Sequence, residues 1–216
     1  MLKSVSDLIK ERKTELKPFV YASWPNNEQS LRDLLKSKPS INTVVEIGGF
    51  TGSGSTLLFA EAMKSRKEGM VVTIDPFDTG FFNPQEMARF VQLVGEMPTS
   101  DCLDLFLSNV TAKGYQDIVY PYKGTSQQFF ATFIPFFGEG REIFCHIDGD
   151  HSYEGCLFDI QNCLKMFPDA FLCGDDYGPF PGVTQAANEM TSKLEQTHKF
   201  WKNEWSLWVL EPKSQC

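Results

Sequence analysis

The chain has 216 residues, 42% hydrophobic and 22% charged, with 16 Gly and 12 Pro, the make-up of an ordinary globular protein rather than a disordered or fibrous one. Lys plus Arg number 20 against 28 Asp plus Glu, a formal charge of −8. That charge argues against a sequence-independent grip on nucleic-acid phosphates or an anionic membrane surface, and points to a small-molecule partner. Cysteines at 102, 145, 156, 163, 173 and 216 form no C-x-x-C pair, and several sit in apolar runs, so buried free thiols in a reducing, cytoplasmic compartment are expected rather than a disulfide framework. The opening MLKSVSDLIKERKTELK mixes charges throughout; it lacks the apolar stretch of a signal peptide, and no apolar run is long enough to span a bilayer. A single domain over residues 1–216 is the expected organisation.

In chain order, residues 1–39 predict two amphipathic helices, one carrying Leu8, Ile9, Leu16 and Phe19, the other Leu31, Leu34 and Leu35. After Pro39, β-rich runs follow at 43–48, 70–75, 117–124, 141–148 and 169–176. Between them lie the helical STLLFAEAMKSR, SNVTAKG, SQQFFATFIPFF, YEGCLFDIQNCLKMF and TQAANEMTSKLEQ. This alternation implies βαβ units and a Rossmann-like, doubly wound α/β fold, with a mostly parallel seven-stranded sheet. The closing HKFWKNEWSLWVLEP reads as a terminal antiparallel hairpin around Asn203, packed by Trp201, Trp205 and Trp208. The span 76–103 is an insertion, longer than a usual connection, and a candidate substrate lid. Tyr21 and Trp24 are read as core, His146 as a core or strand-face histidine, and His198 as surface.

VVEIG runs straight into GFTGSGST and then a helix, so Gly48, Gly49, Gly52 and Gly54 occupy a strand-to-helix turn. There the backbone can approach a ligand and the helix N-terminus favours negative charge. A dinucleotide fingerprint fails because Leu57 stands in the sixth place counted from Gly52, and a phosphate loop fails because Ser55 stands where its lysine belongs. What remains is Glu46, Gly48 and Gly52, followed by Asp75 at the end of the next strand. A carboxylate at that strand end can accept both ribose hydroxyls of an adenosine. Farther along, HIDGDHSYEG and CGDDYG end the fourth and fifth strands, so Asp148, Asp150, Asp175 and Asp176 converge on the carboxyl-end rim where open parallel sheets bind ligands. Crowded carboxylates repel unless a cation joins them or a proton is retained; a hard divalent ion, Mg²⁺ by default, would resolve the repulsion. The bland alternative is that these acids cap the helices starting near Tyr153 and Thr184.

The glycine turn with its strand-end acid resembles the class I S-adenosylmethionine-dependent methyltransferases. The spacing Asp148-x-x-His151 and the pair Asp175-Asp176 is similar to their metal-dependent small-molecule O-methyltransferases, both the catechol-type and the macrocin/cephalosporin-hydroxylase-like groups. The resemblance covers roughly residues 43–190. It implies S-adenosyl-L-methionine as cofactor, bound through Glu46, Gly48, Gly52, Asp75, Thr125, Ser126, Gln127 and Asp148. It also implies a metal held by Asp148, Asp175 and Asp176, with His151 as the base beside Asp148. By the same resemblance Thr125, Ser126 and Gln127 lie beside the adenine; on their own they also read as a helix cap. The turn runs one residue longer than usual, so no contact is carried onto Ser53, Ser55 or Thr56.

The implied reaction is methyl transfer to a hydroxyl of a small sugar- or polyphenol-type acceptor. Two alternatives share the fold: a protein that binds S-adenosylmethionine or S-adenosylhomocysteine without turnover, and a metal-independent methyltransferase. Oxygenase chemistry is disfavoured, because His146, His151 and His198 do not pair into a two-histidine-one-carboxylate iron site. An aromatic content of 13% leaves room for a homo-oligomeric interface, but nothing in the sequence locates one.

Overall fold

The computed structural model describes residues 2–21, 27–81, 102–132 and 141–213, together with positions 88 and 91. Trp24, Cys216 and most of the 76–103 insertion, with its expected lid role, lie outside the described residues.

Two N-terminal helices, α1 (Val5–Arg12) and α2 (Glu28–Ser37), precede strand β1 (Ile41–Ile47). Then follow α3 (Ser55–Lys64), β2 (Met70–Asp75), α4 (Leu103–Ala112), β3 (Val119–Lys123), α5 (Ser126–Thr132) and β4 (Glu142–Ile147). The chain continues through α6 (Tyr153–Met166), β5 (Phe171–Gly174) and α7 (Pro181–Lys193) to the hairpin of β6 (His198–Lys202) and β7 (Trp208–Pro212). The seven strands form one sheet in the order β3-β2-β1-β4-β5-β7-β6. Strands β1 to β5 pair in parallel, and β7 runs antiparallel to both β5 and β6. The order turns back between β1 and β4, the switch point at which this topology opens a crevice.

Both faces of the sheet are covered, which is why its central strands read as unbroken apolar runs. Val44, Phe59, Val71, Phe106 and Phe144 build the core under α1 to α4. Val45, Val72, Cys145, Ile160, Leu172, Ala186 and Trp208 build the opposite core under α5 to α7. Cys102, Cys145, Cys156, Cys163 and Cys173 are buried free thiols, as expected. Among the described residues no helix is long and apolar enough to cross a membrane.

Four sequence expectations need correction, the first being Trp205, which is 57% exposed and does not pack the hairpin. Leu16 and Phe19 do not extend α1: the helix stops at Lys13, whose φ of 54° turns the chain out, and they are 48% and 36% exposed. Tyr21 is not core but 49% exposed, its hydroxyl donating to Glu28. His198 is not on the surface; it is 9% exposed in β6, with Nδ1 against Thr197 Oγ1 at 2.8 Å.

Candidate functional site

The ends of β1, β2, β4 and β5 meet on one rim. Gly48 leaves β1 with a φ of +92°, and a Cβ there would meet the Asp148 carbonyl at 1.8 Å. The turn after β1 and the loop after β4 therefore touch backbone to backbone, and only glycine lets them. Gly52, at φ +69°, rests on the Phe106 ring, which a Cβ would strike at 2.6 Å. The turn is thus seated on α4 from below and against the acidic loop at its side.

Glu46 lies under this turn rather than facing outward. It is 0% exposed, and its carboxylate accepts from Ser55 Oγ (2.6 Å), Thr56 Oγ1 (2.6 Å) and Thr73 Oγ1 (2.9 Å). Burial pushes it up to about 7, with the three hydroxyls opposing the rise. The carboxylate of this expected cofactor residue ties the first turn of α3 to β2. Asp75, at the end of β2, accepts from the backbone N–H groups of Phe50 (2.9 Å) and Phe77 (2.5 Å), and burial raises it. Thr125 and Gln128 form a reciprocal capping box on α5: the Gln128 N–H donates to Thr125 Oγ1 at 3.3 Å and the Thr125 N–H to Gln128 Oε1 at 3.0 Å. Ser126 Oγ donates to Gln127 Oε1 at 3.4 Å, and Ser126 opposes the rise of the buried Asp159, which burial pushes up to about 7. Thr125, Ser126 and Gln127 thus all hold hydrogen-bond partners within this stretch.

On the acidic side, the structure brings together Asp148, His151 and Asp176, with one potential ligand atom from each lying within 4.8 Å of the others. His151 Nε2 is 2.9 Å from Asp176 Oδ2 and 3.8 Å from Asp148 Oδ1, and its ring leans on Phe180 at 4.2 Å. Burial works to lower His151, but the two carboxylates outweigh it and raise it to about 11. Burial, with Asp175 and Asp176 nearby, pushes Asp148 up to about 7 against the opposing pull of His151. Asp175 is not brought into the group. Its Oδ1 accepts from Asn27 Nδ2 (2.6 Å), from Ser206 Oγ and from the Asp176 N–H (2.7 Å), while Trp208 Nε1 donates to its carbonyl at 3.1 Å. Asp176 itself has a φ of 68°, a strained conformation for a non-glycine residue of the kind that clusters at functional sites.

The helix-cap alternative does not account for Asp148 and Asp176. Helix α6 is capped by Ser152, which accepts from Gly155 N, and Asp150 takes the Ser152 N–H at 2.8 Å; α7 opens on Phe180 with Pro181 in its first turn. Two carboxylates and an imidazole with no capping duty face one another instead. The two carboxylates supply oxygen donors that fit a divalent cation, with the His151 imidazole beside them.

Sequence reasoning missed Asn27, Ser55, Thr56, Asn109 and Ser206. The signal for Asn109 was present: a polar pair, Ser108-Asn109, inside the apolar run Leu103–Val110, where a buried amide must find partners.

Comparison with known proteins agrees with this fold. A family model described as a methyltransferase domain matches residues 45–177, more than half of the chain. No curated protein sequence matches it. Among solved structures, the chain is similar to an O-methyltransferase from Bacillus cereus in complex with SAH, at 14% identity and a TM-score of 0.59, covering 97% of this chain and 89% of that one. It is similar to CalS11, a TDP-rhamnose 3'-O-methyltransferase of calicheamicin biosynthesis, at 14% identity and 0.51, covering 95% and 86%. It is also similar to cmcI with Mg and SAM, at 12% identity and 0.52, covering 87% and 72%. With the parallel sheet, the reversing strand order and the glycine turn all in place, the chain belongs to the methyltransferase-domain family and has the fold of the O-methyltransferases.

Proposed function

We propose that this chain transfers the methyl group of S-adenosylmethionine to a hydroxyl of a small sugar- or polyphenol-type acceptor, with a divalent cation, Mg²⁺ by default, at the acidic rim. The observation that carries the reading is the contact of Gly48 with the Asp148 backbone, which sets the glycine turn and the Asp148–His151–Asp176 group side by side. The similar structures that hold SAH, or Mg with SAM, and the TDP-rhamnose enzyme support the cofactor, the cation and the acceptor class.

In the reaction an acceptor oxygen lone pair attacks the sulfonium methyl in line. A C–O bond forms, the C–S pair returns to sulfur, and S-adenosylhomocysteine leaves. The cation, when bound, would lower the acceptor hydroxyl's pKa. Asp148 and Asp176 would hold it, and Asp175 would hold Asp176 in place through the Asp176 N–H. His151 takes the hydroxyl proton at Nε2. With its pKa raised to about 11 by the two carboxylates, it is charged at neutral pH and cannot act as a base. Neutralising those acids with a cation removes the pull, so the base role and the cation belong together. A second reading, metal-independent transfer with His151 and Asp176 as a dyad, draws on their 2.9 Å contact.

The test is calorimetric titration of S-adenosylmethionine and S-adenosylhomocysteine, followed by sugar and catechol acceptors, with Mg²⁺ and with chelator. Cofactor binding under both conditions and acceptor binding with Mg²⁺ alone are expected. Turnover that survives chelator would favour the dyad; cofactor binding with no methyl transfer to any acceptor would favour a non-catalytic binder.

A further inference from the structure

Between α1 and residue 21 the chain runs extended along α4 as a strap, exposed except at Thr14 and Val20. So little apolar burial cannot hold it; beside Tyr21, which donates to Glu28 of α2, and Phe19, whose ring lies 4.4 Å from Lys113 Nζ, its ties are polar and come from α4. Arg12 and Thr14 reach Asp104 at 3.2 and 3.4 Å, and the Lys17 N–H donates to Ser108 Oγ at 3.0 Å. The last tie is Asn109, which is fully buried. Its Oδ1 accepts the Val20 N–H at 2.9 Å and its Nδ2 donates to the Val20 carbonyl at 3.0 Å, pairing with both backbone groups of one residue as a neighbouring strand would. The remaining amide proton goes to the Thr51 carbonyl at 2.9 Å, inside the glycine turn. Phe106, one turn earlier on α4, supports the same turn at Gly52. One buried amide therefore serves the strap and the turn at once, and neither contact can be lost without leaving part of that amide unpaired.

We propose that Asn109 is a positioning residue that makes the N-terminal strap part of the cofactor site, so that ordering the strap and ordering the glycine turn are one event. The proposal rests on the reading of that turn as the S-adenosylmethionine site. Coupling of this kind is reciprocal: the factor by which the strap raises cofactor affinity is the factor by which bound cofactor stabilises the strap. A purely structural Asn109 would contribute stability without that reciprocity.

The test combines S-adenosylhomocysteine titration with hydrogen exchange over residues 17–21 and 48–54, in the wild type and in Asn109→Ala, Val20→Pro and Ser108→Ala. Val20→Pro removes the strap's N–H donor while leaving Asn109 and the turn untouched, so it keeps the test open should Asn109→Ala fold poorly. In the wild type, S-adenosylhomocysteine is expected to slow exchange in both segments. Asn109→Ala and Val20→Pro are expected to weaken its binding roughly three- to tenfold, the worth of one or two amide hydrogen bonds, and to abolish the protection of 17–21. Ser108→Ala removes only the Lys17 tie, leaves the bonds of Asn109 to Val20 and Thr51 in place, and is expected to stay within about twofold of wild-type affinity. Variants that melt earlier yet bind S-adenosylhomocysteine as the wild type does, or a ligand that leaves strap exchange unchanged, would overturn the proposal. A wild-type chain that binds no S-adenosylhomocysteine would overturn the cofactor reading itself, a result separable from both.

Discussion

Asp176 holds a left-handed backbone conformation at φ 68°, and its own N–H is captured by Asp175 Oδ1 at 2.7 Å. The strain is of order 1–3 kcal/mol for a non-glycine residue, and the surrounding bonds maintain it. Asp176→Gly separates strain from chemistry: thermal unfolding should show unchanged or higher stability, while labelled-methyl transfer falls to background. His151→Ala should lower turnover on the order of 10²- to 10⁴-fold, the usual worth of a general base, with little change in cofactor affinity; an unaltered pH–rate profile would remove it from that role. Gly48→Ala forces a Cβ to 1.8 Å from the Asp148 carbonyl and should abolish S-adenosylhomocysteine binding in calorimetry. Asp148 and Asp176 were legible in the sequence because aspartates at strand ends converge on the rim of an open parallel sheet, and His151 was legible only through the family resemblance carried by its spacing from Asp148. The roles of Glu46 and Asp175 were not, because they depend on hydroxyl and amide partners supplied from elsewhere. Asn27, Asp175's partner, lies 148 positions away.

At the scale of elements, the parallel strands announced themselves as buried apolar runs; β2 occupies Met70–Asp75, the expected span. Helix α6 was equally plain, starting at Tyr153 as expected, although its cap is Ser152 and not one of the aspartates. The strap was not, because its conformation is set by side chains of α4 and not by its own spacing. The β6–β7 hairpin is held by Asn203, whose Oδ1 accepts the N–H groups of Trp205 and Leu207, both at 3.0 Å, while its Nδ2 reaches Asn27 Oδ1 at 2.8 Å. The hairpin and the start of α2 thus brace the acidic rim from behind. At the opposite side of the site, Thr125→Ala should cost about 1 kcal/mol in urea unfolding, the typical worth of a helix cap. Because the expected adenine lies beside this cap, the variant should also bind S-adenosylhomocysteine more weakly; unchanged affinity would leave Thr125 a cap alone.

Across the molecule, buried titratable groups give stability opposing dependences on pH. Among the described residues His146 has no hydrogen-bond partner on either ring nitrogen, and it packs edge-on to Phe59 at 5.1 Å; burial lowers it to about 4. The unfolded chain binds that proton near 6.5 and the folded chain does not, so stability is lost as pH falls from about 6.5 toward 4. Glu46 and Asp159 are raised to about 7, so the folded chain keeps protons that the unfolded chain has released, and stability is lost as pH rises from about 4 through 7. Asp159→Asn keeps the shape and removes the charge; its melting temperature relative to wild type should rise between pH 5 and pH 8. His146→Phe should show the reverse trend, gaining most at pH 5.

The claim that joins these scales is that the cofactor, the base and the cation share one rim. Crystals grown with S-adenosylhomocysteine and Mn²⁺, measured for anomalous scattering, test it most directly. The expected result is a manganese peak in coordination distance of Asp148 and Asp176, with the cofactor lying against Gly48 and Gly52. Manganese bound away from these aspartates, or S-adenosylhomocysteine seated anywhere but the glycine turn, would contradict it.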